Sequence, residues 1–92
     1  MWDNLEHEKG NAIKSEKYKD SAFIDIYKVD DHYEIICSVT DCIMFHTIFV
    51  NGEEAEALKK YEEVKKDLQN IIDSSLTGDD RLDLCSDFID KW

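Results

Sequence analysis

The sequence predicts an α+β domain: a three-stranded antiparallel sheet followed by a long helix and a short C-terminal helix, both packed on one face. Three observations lead there. β-rich runs of about eight residues, separated by Asp-containing turns, occupy residues 21–50. After Asn51-Gly52 the apolar period switches from two to about 3.5. The chain has 92 residues, enough for one modest core and too few for two independent ones, so residues 1–92 are read as one domain.

Residues 1–20 read as a polar N-terminal arm, a short helix or irregular segment, because Trp2, Leu5, Ile13 and Tyr18 are scattered among charges and Gly10-Asn11 interrupts any long helix. The sheet follows over 21–50 as AFIDIYKV, HYEIICSV and CIMFHTIFV, with Asp30-Asp31 and Thr40-Asp41 as turns. A two-residue loop at Asp30-Asp31 sets Val29 opposite His32 and gathers Ile24, Ile26, Tyr33, Ile35, Cys37 and Val39 on one side. A loop near Thr40-Asp41 adds Ile43, Phe45 and Phe49 to that side. Phe23, Asp25, Tyr27, Glu34, Ile36, Ser38, Met44, His46 and Ile48 then fall on the other. That second face is too polar for a core and too apolar for ordinary surface, so either the arm or last helix folds over it or a partner covers it.

The long helix is expected over 53–75. Ala57, Tyr61, Val64, Leu68 and Ile71 recur at helical spacing, Leu58 and Ile72 widen the stripe, and Glu53 and Glu54 suit the positive end of the helix dipole. Gly78 separates it from an acidic C-terminal helix over 79–91, in which Leu82, Cys85, Phe88, Ile89 and Trp92 share a face.

Composition excludes several functions. Lys and Arg number 11 against 22 Asp and Glu, a formal charge of −11, so no basic stripe is present for direct binding to nucleic-acid phosphates. No apolar run reaches the ~18 residues that span a bilayer. The opening MWDNLEHEKG has neither the basic nor the apolar region of a secretory signal, and Cys37, Cys42 and Cys85 are an odd, sparse set. A cytoplasmic protein with reduced thiols is expected.

Chemistry is equally sparse. Cys37, Cys42 and His46 have the spacing C-x4-C-x3-H, but strand alternation sends Cys37 and His46 to opposite faces and no fourth ligand lies nearby. Asp73, Ser75, Thr77, Gly78 and Asp79 match early positions of an EF-hand loop, yet Leu84 stands where a bidentate carboxylate is required. His7, His32 and His46 are isolated, and no nucleophile elbow, HExxH or phosphate loop is present. The expectation is no enzyme, no cofactor and no metal.

The remaining signal is charge. Asp80, Asp83, Asp87 and Asp90, spaced three, four and three, form a helical stripe about 15 Å long at 1.5 Å per residue, with Asp73 and Asp79 extending it. Short carboxylates in a row imitate phosphates and suit the basic groove of a nucleic-acid-binding protein, for instance a nuclease. In size, acidity and order of elements the chain resembles the small inhibitors that bacteriophages and mobile elements carry against host nucleases, including anti-CRISPR proteins. That resemblance implies a stoichiometric inhibitor. The expected contacts are the six aspartates, with Trp92, Tyr27, Ile36 and Met44 as apolar contacts. The alternative expectation is a homodimer through the second sheet face, with acidity serving only solubility.

Overall fold

Strands form where β-branched and aromatic residues alternate with polar ones, and they extend further toward the N-terminus than that pattern predicts. The computed structural model describes residues 2–5, 12–40, 44–74 and 79–92. Five strands form one antiparallel sheet in chain order: β1 (Trp2–Asn4), β2 (Ala12–Tyr18), β3 (Ala22–Val29), β4 (His32–Val39) and β5 (Met44–Asn51). Two helices follow, α1 (Glu54–Asp73) and α2 (Asp79–Lys91).

The three-stranded expectation is therefore corrected to five, because parts of the predicted polar arm are β1 and β2. β2 pairs with β3 through Tyr18↔Ala22, Glu16↔Ile24 and Lys14↔Ile26, with a bulge between Ala12 and Lys14. The turn joining them puts Lys19 and Asp20 at φ 52° and 55°, the left-handed pair that suits the twist of a hairpin. Ser21 donates its backbone N–H to the Tyr18 carbonyl at 3.0 Å, and the Lys17 ammonium holds the Asp20 carboxylate at 2.6 Å.

The β3–β4 hairpin has the two-residue Asp30-Asp31 loop with Val29 opposite His32. Asp30 takes φ 53°, a conformation that short acidic side chains tolerate. Ile24, Ile26, Tyr33, Ile35, Cys37 and Val39 are all buried on one face. The next hairpin departs from expectation. Val39 pairs with Met44, and this register sets odd-numbered β4 residues against even-numbered β5 residues. Met44, Ile48 and Val50 are thus buried beneath the helices, whereas Phe45 and Phe49 are 71% and 66% exposed on the other face. The expected placements of Met44, His46, Ile48, Phe45 and Phe49 are all inverted, since one step of register turns every side chain over. Ile43 lies outside the described residues.

Gly52, at φ +134°, carries the chain from β5 into the helix, and a Cβ there would meet the Glu56 carboxylate at 2.6 Å. Glu54 and Glu56 occupy the first turn of α1, where the dipole favours them. Ala57, Tyr61, Val64, Leu68, Ile71 and Ile72 form its buried stripe, each large member adding roughly 1.5–3 kcal/mol by burial. α1 packs on β3 and β4. On α2 only Cys85 and Phe88 are buried, while Leu82 and Ile89, expected on the same face, are 47% and 41% exposed. α2 lies at the rim of the helix layer and has less protein to cover it.

Candidate functional site

α2 displays its carboxylates outward. Asp79, Asp80, Asp83, Asp87 and Asp90 are exposed, opposite the buried Cys85 and Phe88. Among the described residues, Asp80, Asp83, Asp87 and Asp90 form no ion pair with a lysine; the lysines pair with Glu16, Asp20, Glu62, Asp67 and Asp73 instead. Asp79 and Asp80 stand in the first turn of α2.

The other predicted contacts divide. Asp73 is engaged within the fold: the Tyr18 hydroxyl donates to both its oxygens at 2.7 and 2.9 Å, and the Lys19 ammonium lies 3.0 Å away. The Tyr18 hydrogen bond, then Lys19, holds the Asp73 carboxyl below its usual range. Trp92 is also committed internally. Its indole N–H donates to Asp67 at 3.0 Å, its ring lies 6.5 Å from that of Phe88, and the Lys60 and Lys91 ammoniums sit over it at 5.4 and 5.1 Å. Trp92 therefore closes the seam between the helices. Tyr27 and Ile36 lie half-buried on the uncovered sheet face, but Met44 is buried on the opposite one. These ten residues do not form a single surface.

The pairing of Cys37 with His46 corrects a second expectation. They are direct cross-strand partners on the helix-covered face, and the Cys37 thiol points to the His46 carbonyl at 3.5 Å. Burial pushes the Cys37 thiol up to about 12, far from a reactive thiolate. Among the described residues no three His, Cys, Asp or Glu side chains gather for a metal ion. Cys42, His7, Ser75, Thr77 and Gly78 lie outside the described residues.

Two clusters were missed by sequence reasoning. In the core, Glu16 of β2 is 6% exposed; it accepts a hydrogen bond from the Tyr61 hydroxyl at 2.7 Å and faces the Lys65 ammonium at 3.1 Å. The rings of Trp2 and Tyr61 each lie 5.7 Å from that ammonium. Burial, then the Glu16 bond, raises the Tyr61 phenol well above its ordinary value. The signal available was a lone Glu alternating with Lys14 and Tyr18, facing a stripe that contains Tyr61. On the uncovered face, His32 Nε2 lies 3.0 Å from the Glu34 carboxylate, a bond that raises the His32 imidazole above its usual value.

A group whose folded pKa is raised stabilises fully below its unfolded value, about 6.5 for histidine, and loses that contribution as pH climbs through the folded value. Glu34→Gln is expected to lower the His32 titration, followed by ring NMR, toward its ordinary range and to reduce the acid-side increment in urea midpoint. An unchanged titration would show that Glu34 does not set it.

No protein-family model, curated protein or solved structure matches the chain. No described helix is long and apolar enough to cross a membrane.

Proposed function

We propose that this protein acts stoichiometrically, by binding a partner with a basic groove through the carboxylate row of α2. The observation that carries the reading is that Asp80, Asp83, Asp87 and Asp90 share one exposed face and, among the described residues, form no intramolecular ion pair. A chain with surplus lysines could have neutralised them. Instead, Lys17 and Lys19 pair with carboxylates at the β2–β3 turn, Lys65 in the core and Lys91 at the helix seam. With a charge of −11, the molecule approaches a positive cleft under long-range attraction that speeds encounter and fades with salt. A groove that holds nucleic-acid phosphates is the natural receptor for carboxylates spaced along ~15 Å of helix. In this reading the protein is a small inhibitor of the anti-nuclease type, anti-CRISPR proteins included, acting in the cytoplasm without catalysis or cofactor.

The test is capture of partners from host lysate with wild type and with the combined Asp80→Asn, Asp83→Asn, Asp87→Asn and Asp90→Asn variant. The variant is expected to bind the captured partner roughly a hundredfold more weakly, from four exposed charge contacts of modest size each. Wild-type binding should also weaken steeply with salt. Equal binding by both forms would refute the role of the row.

A further inference from the structure

The two edges of the sheet are built differently. At one, the described β1 is three residues long, and its neighbour β2 carries Lys14 and a bulge, devices that discourage pairing with another strand. At the other, β5 runs eight residues as MFHTIFVN, without Lys, Arg, Asp, Glu or Pro, and pairs in unbroken register with β4 alone. Among the described residues it is a long edge with no protection.

Exposed apolar side chains border the same edge. Phe45 and Phe49 project from β5 on the uncovered face. On the helix side, Phe88 of α2 stands edge-on to His46 of β5 with centroids 6.3 Å apart, so α2 lies over β5 while α1 covers β3 and β4. Leu84, Asp87 and Lys91 face Asp67 and Ile71 of α1 across a shallow cleft. At 100° per residue this turns Leu82 and Ile89 to the side of α2 away from α1, above the unpaired edge. Four of the five large apolar side chains exposed among the described residues thus flank β5, the fifth being Ile13.

We propose that β5 pairs antiparallel with β5 of a second copy, joining the two five-stranded sheets into one across a two-fold axis. A second copy fits this edge because it brings the same uncharged strand and the same apolar borders. A strand from a partner chosen for positive charge would find no carboxylate on β5 to meet. With the axis at Thr47, Phe45 of each copy stands opposite Phe49 of the other, an aromatic cross-strand pair on each side of the axis. Leu82 and Ile89 close the seam on the helix layer. At ~200 Å² per phenylalanine the exposed parts of Phe45 and Phe49 amount to roughly 270 Å², about a third of the ~800 Å² per partner of a standard interface. The strand edge, Leu82 and Ile89 supply further area. The inference does not depend on the α2 carboxylate reading, and salt separates them: two chains of −11 repel, so salt should tighten the dimer while weakening any basic partner.

Sedimentation equilibrium over a concentration series is expected to give twice the 10.8 kDa chain mass, with β5 amides gaining hydrogen-exchange protection as the dimer forms. Phe45→Lys with Phe49→Lys is expected to return the mass to 10.8 kDa with an unchanged circular-dichroism spectrum, because both side chains are exposed. Phe45→Lys with Phe49→Glu places opposite charges across the axis and is expected to restore the dimer. A wild type that stays monomeric overturns the proposal, as does a dimer indifferent to the two lysines. Identical behaviour of the two double variants overturns the pairing about Thr47. Protection of β5 that appears only when a different protein is added assigns the edge to a foreign strand and overturns it too.

Discussion

Glu16→Ala is expected to lower the unfolding free energy by about 3 kcal/mol, the lower end of the cost of breaking a buried ion pair. The substitution leaves the Lys65 ammonium, whose side chain is 15% exposed, without its carboxylate, and the Tyr61 hydroxyl, in a residue with 0% exposure, without its acceptor. Each of those groups loses a partner that compensates its removal from water. The lower end applies because Lys65 also reaches Glu62 at 3.4 Å and keeps the faces of Trp2 and Tyr61. Domains of this size hold roughly 5–14 kcal/mol in total, so the loss is large. Denaturant titration should show it as a midpoint drop at constant slope. The combined Glu16→Leu, Tyr61→Phe and Lys65→Met variant removes all three polar groups together and is expected to recover most of the stability. A Glu16→Ala protein within 1 kcal/mol of wild type would mean that water reaches the carboxylate past β1.

That cluster also explains why β1 and β2 were illegible. A strand is recognised by apolar residues on its core face, and β2 presents Lys14, Glu16 and Tyr18 there. The core accepts Glu16 because α1 supplies Tyr61 and Lys65 at the matching height, a pairing 45 residues away in sequence for Tyr61. Nothing local to residues 12–18 announces it. The stripe of α1 was legible, since burial of Ala57, Tyr61, Val64, Leu68 and Ile71 follows from a period that one helix on a sheet imposes. Periodicity says which residues share a face, not how much protein lies beneath it. Leu82 and Ile89 therefore keep the predicted spacing yet remain exposed at the rim. The same limit applies to the candidate site. The α2 aspartates were legible as a row because they belong to one helix, whereas Tyr27, Ile36 and Met44 were grouped by a parity that spans two hairpins.

Charge at the turns shows how acidity was distributed. Asp73 anchors the end of α1 to the β2–β3 turn through Tyr18 and Lys19. A carboxyl held below its usual range stabilises the fold above its unfolded pKa, near 4, and loses that contribution as pH falls through the folded value. Asp67 likewise receives Lys91 at 2.8 Å and the Trp92 indole. Carboxylates that tie elements together have cations, and among the described residues those on the outer face of α2 form no ion pair. The distinction separates structural acidity from the acidity available to a partner.

Ile48→Ala is expected to cost about 2–4 kcal/mol and Phe49→Ala less than about 0.5 kcal/mol in the monomer, although phenylalanine is the larger and more apolar loss. The two residues are neighbours on β5 and differ only in the direction of the side chain. Ile48 is 5% exposed, opposite Ile35 beneath the helices, and truncation there leaves a cavity in a layer that already contains Val39, Met44 and Val50. Phe49 is 66% exposed, opposite the half-buried Glu34, with the His32 ring 6.0 Å away as its aromatic neighbour. Urea titrations at concentrations low enough to keep the chain monomeric measure the difference directly. At high concentration the order is expected to narrow, because Phe49 then loses its place opposite Phe45 of the second copy and dissociation adds to its cost. A reversed order in the monomer would mean that β5 pairs with β4 one residue out of this register, which would return Phe45 and Phe49 to the core and remove the apolar border on which pairing at β5 rests.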